Sequence, residues 1–155
     1  MDPVHFHLAV SHAPLAACFI GLALTGLGLI IKNPDFEKAG LGIILMGALV
    51  IVPVYFSGER SEERMEHYQG ISESRIEAHE EAAKPALAAF LTLGAVCAAA
   101  LFFSRDPAKL RAGSILVLVL SVGVLFFLIR VSALGGQIRH TEITELKVPL
   151  PKAPG

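Results

Sequence analysis

Residues 13–56 read "APLAACFIGLALTGLGLIIKNPDFEKAGLGIILMGALVIVPVYF", and the fold turns on how that stretch is read. It holds two acid-free apolar runs, Ala13–Ile31 and Ala39–Phe56, joined by a short charged segment built on Asn33-Pro34. Each run is close to the roughly 20 residues that carry a helix across about 30 Å of hydrocarbon. The plan returns later, with Ala86–Phe103 and Gly113–Leu134 on either side of "SRDPAKLR". Arg130 is the single charge within these runs. In hydrocarbon a peptide group is satisfied only within a helix or a closed barrel. Runs rich in leucine, alanine and glycine lack the short alternating segments of barrel strands. The expected fold is therefore all-α, an integral membrane four-helix bundle. The short loops make the helices of each pair antiparallel neighbours.

Composition agrees, since 54% of the residues are hydrophobic and the mean hydropathy is +0.62, whereas soluble domains hold about 45–50% apolar residues even counting glycine. The tetrad "LAAC" at Leu15–Cys18 looks like a lipoprotein cleavage site. However, residues 1–14 carry no Lys or Arg, and the main apolar run follows Cys18 instead of preceding it, the reverse of signal-peptide anatomy. The start is expected to remain as a helix, with Asp2 and Pro3 suited to its N-cap and first turn.

These runs place residues 1–134 in one four-span domain, with a charged segment at 57–85 and a proline-containing tail at 135–155. The segment "SGERSEERMEHYQGISESRIEAHEEAAKP" is helix-prone with a break at Gly70, so spans two and three are expected to extend beyond the bilayer as helices. Ser74 and Glu77 have capping-box spacing, and Pro85 is placed to bend the second piece at the membrane boundary. Gly135-Gly136 is expected to break span four. Lys32, Lys38, Arg105, Lys109 and Arg111 crowd the two short loops, whereas Ser57–Lys84 holds four basic residues against eight acids. The positive-inside rule then puts the short loops in the cytoplasm and both termini outside. In that frame His5, His7, His12, His67, His79 and His140 all lie at the outer face.

Six histidines collected at one end suggest ligand chemistry, because neutral imidazole binds Fe, Zn or Cu, and two imidazoles from different helices can hold a b-type haem from both sides. His5, His7 and His67 also read simply as interfacial or solvated residues. His79 shares a helical sector with Ile76, Ala83 and Phe90, and His12 shares one with Ala16 and Phe19, so both are expected to face the bundle. Ionisable groups in such positions are costly and often functional. Glu80 or Glu81 is placed to orient His79. Arg130 suits a haem propionate or a substrate anion, or extends its head to the interface. No Glu-x-x-His precedes His67, His79 or His140, which argues against a carboxylate di-iron bundle. Cys18 and Cys97 read as small packing residues, and Gly21, Gly26 and Gly28 as sites of close helix approach. No basic patch suggests nucleic acid.

The segment His7-Leu-Ala-Val-Ser-His12-Ala-Pro14-Leu resembles the start of the first helix in bacterial membrane proteins grouped as domain of unknown function 2231. "SGERSEE" at 57–63, "AHEEAA" at 78–83 and "GGQIRH" at 135–140 are similar to that family's later landmarks in the same order, so the resemblance covers nearly the whole chain. Leu8 stands where the family's first motif has proline. The resemblance implies a four-helix protein of the bacterial cytoplasmic (inner) membrane, sometimes joined to redox domains. It marks His7, His12, His79 and His140 as the positions that matter.

The leading expectation is thus a haem b electron carrier or subunit, not a stand-alone enzyme, with His12 and His79 as axial pair and His140 as substitute. Its partners would be the lipid bilayer, a quinol or a periplasmic redox protein, and a larger membrane complex or further copies of the chain. The alternative is a non-catalytic subunit or an accessory protein binding Zn or Cu. Orientation is directly testable: single cysteines introduced at Gly70 and Ala153 should react with an impermeant thiol reagent in intact cells, and one at Asn33 should not. Labelling at Asn33 alone would reverse the topology.

Overall fold

A computed structural model describes residues 3–65 and 73–139, with side chains described for 7–61 and 74–138. Helices α1 (Pro3–Val10), α2 (Ala13–Ile31), α3 (Pro34–Met65), α4 (Glu73–Phe102) and α5 (Pro107–Arg139) follow in order. Four of them, α2 to α5, form a helical bundle and are long and apolar enough to cross a membrane. The chain is a multi-pass membrane protein.

The turns explain the helix boundaries. Lys32 takes a left-handed conformation at φ 56° and caps α2 by donating its N–H to Gly28 O. Asn33 then caps α3, its Oδ1 accepting the Asp35 N–H at 2.9 Å, ahead of a proline at the first helical position, where no N–H is missed. Asp106 repeats the device for α5, accepting from Ala108 N at 2.9 Å before Pro107 can cost a bond. Both turns lie at one end of the bundle, the hairpin end. The other, extended end carries the prolongation of α3 to Met65 and of α4 from Glu73. Those prolongations match the sequence expectation, and α4 starts one residue before Ser74.

Two expectations change. Gly135-Gly136 does not break the last helix, which continues to Arg139; each glycine costs only about 1 kcal/mol of helix propensity, less than leaving peptide groups unpaired beside hydrocarbon. The helix that starts at Pro3 is not continuous with the first span, which is α2 as expected. α1 stops at Val10, and Ser11-His12 forms a turn before α2, with Ser11 N donating to His7 O at 2.8 Å. The break at Gly70 falls outside the described residues.

The most extensive packing is between α2 and α3, then α4 and α5, then α3 and α4. Phe90, Leu41, Ile44, Leu93, Cys18 and Cys97 fill the centre; the two cysteines are free. Large side chains such as Ile30, Phe102, Val119 and Phe126 point outward. An aqueous surface does not tolerate that much contiguous apolar area, so these faces meet lipid.

Close approach replaces hydrophobic drive in such a bundle. A Cβ built at Gly47 would lie 2.7 Å from Ala17 Cβ and 3.0 Å from the Phe90 ring, and one at Gly94 would lie 2.5 Å from Ala48 Cβ. Gly123 faces open space. Gly47→Ala should therefore destabilise by about 1–3 kcal/mol through overpacking, whereas Gly123→Ala should be neutral or gain up to about 1 kcal/mol of helix propensity. Thermal unfolding in detergent micelles checks both. Equal midpoints for the two variants would contradict this packing.

Candidate functional site

His7 and His79 both lie at the extended end, each placed against a backbone carbonyl of a neighbouring helix. His7 reaches from α1 to α3, where its Nδ1 lies 3.2 Å from Val54 O and 3.0 Å from Ser57 Oγ. The Ser57 hydroxyl donates to Val54 O at 2.7 Å, so its proton is already committed. With a carbonyl and an occupied hydroxyl as neighbours, Nδ1 can only be the donor. His79 reaches from α4 to α5, and its Nδ1 donates to Val131 O at 3.1 Å. In each neutral ring the proton therefore sits on Nδ1 and the lone pair on Nε2.

Each ring also lies on a glycine four residues beyond the carbonyl it binds. A Cβ at Gly58 would sit 3.2 Å from His7 Cε1, and one at Gly135 would sit 3.1 Å from His79 Cε1. Both segments read Val-x-x-x-Gly, at Val54–Gly58 and Val131–Gly135, and the same spacing also occurs at Val119–Gly123. The carbonyl fixes the ring nitrogen, and the glycine leaves space for the ring. Both imidazoles are half-buried. Ser57 and Ser61 are buried on the same face of α3, with Ser61 Oγ donating to Ser57 O at 2.7 Å. Nearby, Arg75 Nη1 donates to Gln137 O at 2.9 Å and ties α4 to α5 above His79.

The expected residues divide as follows. His79 faces inward with Ile76 and Phe90, the sector read from its helical phase. His7, which its residue context read as interfacial or solvated and the resemblance marked as a cofactor-binding candidate, is half-buried and hydrogen-bonded. His12 is exposed, as are Ala16 and Phe19 on its stripe; its Nδ1 lies 3.2 Å from its neighbour Ser11 Oγ, and the structure does not bring it to His79. The partner of His79 is the Val131 carbonyl and not Glu80 or Glu81. Glu80 instead forms an exposed ion pair with Lys84 at 2.8 Å. Arg130 is exposed on α5. His140 and His67, and the His5 side chain, lie outside the described residues.

Among the described residues no three His, Cys, Asp or Glu side chains gather as a metal site. A groove of about 420 Å³ between α2 and α3 is lined by apolar residues including Ala13, Ala17, Ile43 and Met46 and contains none of the histidines. Ser57, Gly58, Val131 and Gly135 were not singled out from sequence for a role at the histidines. The Val-x-x-x-Gly spacing also occurs at Val119–Gly123, so spacing alone does not identify them. Comparison with protein-family models, curated proteins and solved structures finds no match to this chain in any of the three.

The tautomer is measurable without any cofactor. Long-range ¹H–¹⁵N spectra of the protein in micelles, at a pH where the rings are neutral, should show His7 and His79 as Nδ1–H tautomers. His12, exposed and with only the Ser11 hydroxyl on its ring, serves as the comparison. Nε2–H signals from His7 and His79 would contradict the assigned hydrogen bonds.

Proposed function

We propose that this chain is a membrane-embedded electron-transfer protein in which His7 and His79 hold a b-type haem at the extended end of the bundle. The observation that carries the reading is the paired Nδ1–H···O=C hydrogen bond, which leaves two Nε2 lone pairs on helices from opposite halves of the chain. A backbone acceptor on the second ring nitrogen is what orients ligating histidines and raises their basicity. The donor set fits the group: two neutral imidazoles, no anionic donor between them, and apolar neighbours in Val54, Val131 and Leu128.

When bound, the haem iron supplies one-electron chemistry between its ferric and ferrous forms. The chain's own residues do the rest. Val54 and Ser57 hold the His7 ring, and Val131 holds the His79 ring, so neither has to reorganise when the charge between them changes. α1 joins the bundle through the two-residue Ser11-His12 turn and packs on α3, which makes it the wall that can yield to a flat ring system. Arg130 offers a positive charge one residue from Val131, suited to a propionate or an anionic substrate. His12 is not one of the pair in this arrangement, and His140 remains the substitute ligand.

The wider setting follows the sequence reading: the bacterial inner membrane, both termini outside, kinship with the proteins grouped as domain of unknown function 2231, and a quinol or periplasmic redox protein as electron partner. A Zn or Cu site ordinarily takes three or four donors, so that alternative would draw on histidines outside the described residues.

Expression with ample haem supply should give a purified protein with a low-spin, six-coordinate spectrum. His7→Ala or His79→Ala should convert it to a five-coordinate high-spin spectrum or lose the pigment, and His12→Ala should leave it unchanged. No haem absorbance from the unsubstituted chain would reject the proposal. Stoichiometric Zn or Cu by elemental analysis would then favour the metal-binding alternative, and neither metal nor pigment a structural subunit.

A further inference from the structure

The joint between α1 and α2 has its cause in the sequence. Pro14, the second residue of α2, has no N–H to give Val10 O one turn earlier, and its ring crowds that same carbonyl. The backbone bonds on either side stop short of the joint. Ser11 N donates to His7 O at 2.8 Å and closes α1, whereas Ala16 N donates to His12 O at 3.0 Å and opens α2. Among the described residues no backbone hydrogen bond runs from α2 to a carbonyl of α1.

Beyond that joint, α1 is held by one neighbour. It packs chiefly against α3, and among the described residues its side-chain hydrogen bonds to the rest of the bundle come from His7 alone. The surface beneath does not need it. Ser57 Oγ donates to Val54 O and Ser61 Oγ to Ser57 O, each at 2.7 Å and both within α3. Lifting α1 therefore leaves neither hydroxyl without its acceptor, and the His7 ring exchanges its partners for water. His79 is the contrast, because it stands inside α4, which runs unbroken through Pro85 from Glu73 to Phe102.

We propose that α1 is a hinged strap, turning as a unit about Ser11-His12 between a form docked on α3 through His7 and a released form that bares Ser57 and Gly58. Gly58 is the seat of the latch. A Cβ there would lie 3.2 Å from His7 Cε1 and 3.6 Å from its Nδ1, so a valine at this position wedges the ring off α3. What the strap admits rests on the haem reading above: the released form offers His79 alone to an incoming flat ring system, and docking supplies the second imidazole. A ligand held by both rings then favours the docked form by its preference for two ligands over one. The hinge itself rests on the joint, the self-satisfied α3 face and the Gly58 seat.

The test uses the full chain in detergent micelles without haem, with nitroxides on Ala9→Cys and Arg60→Cys, both exposed positions; Cys18 and Cys97 are fully buried. Pulsed dipolar spectroscopy should return two populations, one short and one longer and broader. Adding Gly58→Val should shift their ratio roughly fivefold or more towards the longer, the scale of an overpacked contact. A control pair at Ile20→Cys and Met46→Cys, exposed on α2 and α3, should keep one distance throughout, which separates release of the strap from unfolding. In a Ser57→Cys chain, alkylation of that thiol should speed up about two- to tenfold on His7→Ala, as expected for the loss of one hydrogen bond. A single narrow Ala9–Arg60 distance, unchanged by Gly58→Val, would overturn the proposal, and so would alkylation indifferent to His7→Ala. If Gly58→Val does not fold, the control pair reveals it, and the parent distances and the alkylation rates still decide. Two populations that ignore added haem would support the strap and count against the haem reading alone.

Discussion

A bilayer offers a peptide group no hydrogen-bond partner, and every other feature of this protein follows from that constraint. It forces the apolar runs into helices that satisfy their own backbones, and it carries α5 through Gly135-Gly136, where a soluble chain would be free to turn. It also decides what a polar side chain can do. The helix has used each carbonyl once, but a carbonyl oxygen has a second lone pair. Val131 spends its second lone pair on an imidazole, whereas Val54 is shared by the Ser57 hydroxyl and the His7 ring, so the backbone fixes the histidines, with buried Ser57 assisting at His7.

The same local plan occurs in both halves of the chain. A histidine one helix back, a carbonyl on the next helix and a glycine four residues later recur as His7–Val54–Gly58 and His79–Val131–Gly135. The capped Asn33-Pro34 and Asp106-Pro107 turns recur with them. The halves differ at one place. α4 runs unbroken through Pro85, whereas the equivalent of its first turns is a separate helix, α1, joined by Ser11-His12. One imidazole is thereby set on a rigid rod, and the other on a short helix whose covalent attachment is a turn.

What was legible in the sequence was set by the longest-range pattern. Acid-free runs of membrane length fixed the four spans, and helical phase put His79 on the face of Ile76 and Phe90 because α4 is continuous between them. Phase failed for His12. A helical wheel says which residues share a face, not which way that face points, and the stripe of His12, Ala16 and Phe19 is exposed. It could not carry over to His7 either, because the Ser11-His12 turn resets the register. The burial of Glu37 escaped for another reason. In "KNPDFEK" it reads as a loop acid, but α3 begins at Pro34, so Glu37 already stands in the first turn and folds onto Gly28. A proline at the first helical position was the available clue.

Between the two polar ends lies a layer of different character. Cys18, Ile44, Ala48, Phe90, Leu93 and Cys97 pack there with little or no exposure, and Gly47 and Gly94 admit neighbours so closely that a single added carbon would not fit. The side chains of that layer are hydrocarbon or thiol, so it is far less polar than either end. The two ends are joined by α3, which carries Glu37 near the hairpin turn and Val54 and Ser57 at the His7 ring. Because α3 packs against α2 through side chains pared to glycine, it cannot tilt by bending its neighbours and can move only as a rod. The small residues that let the helices approach are thus also what would transmit a displacement along the bundle.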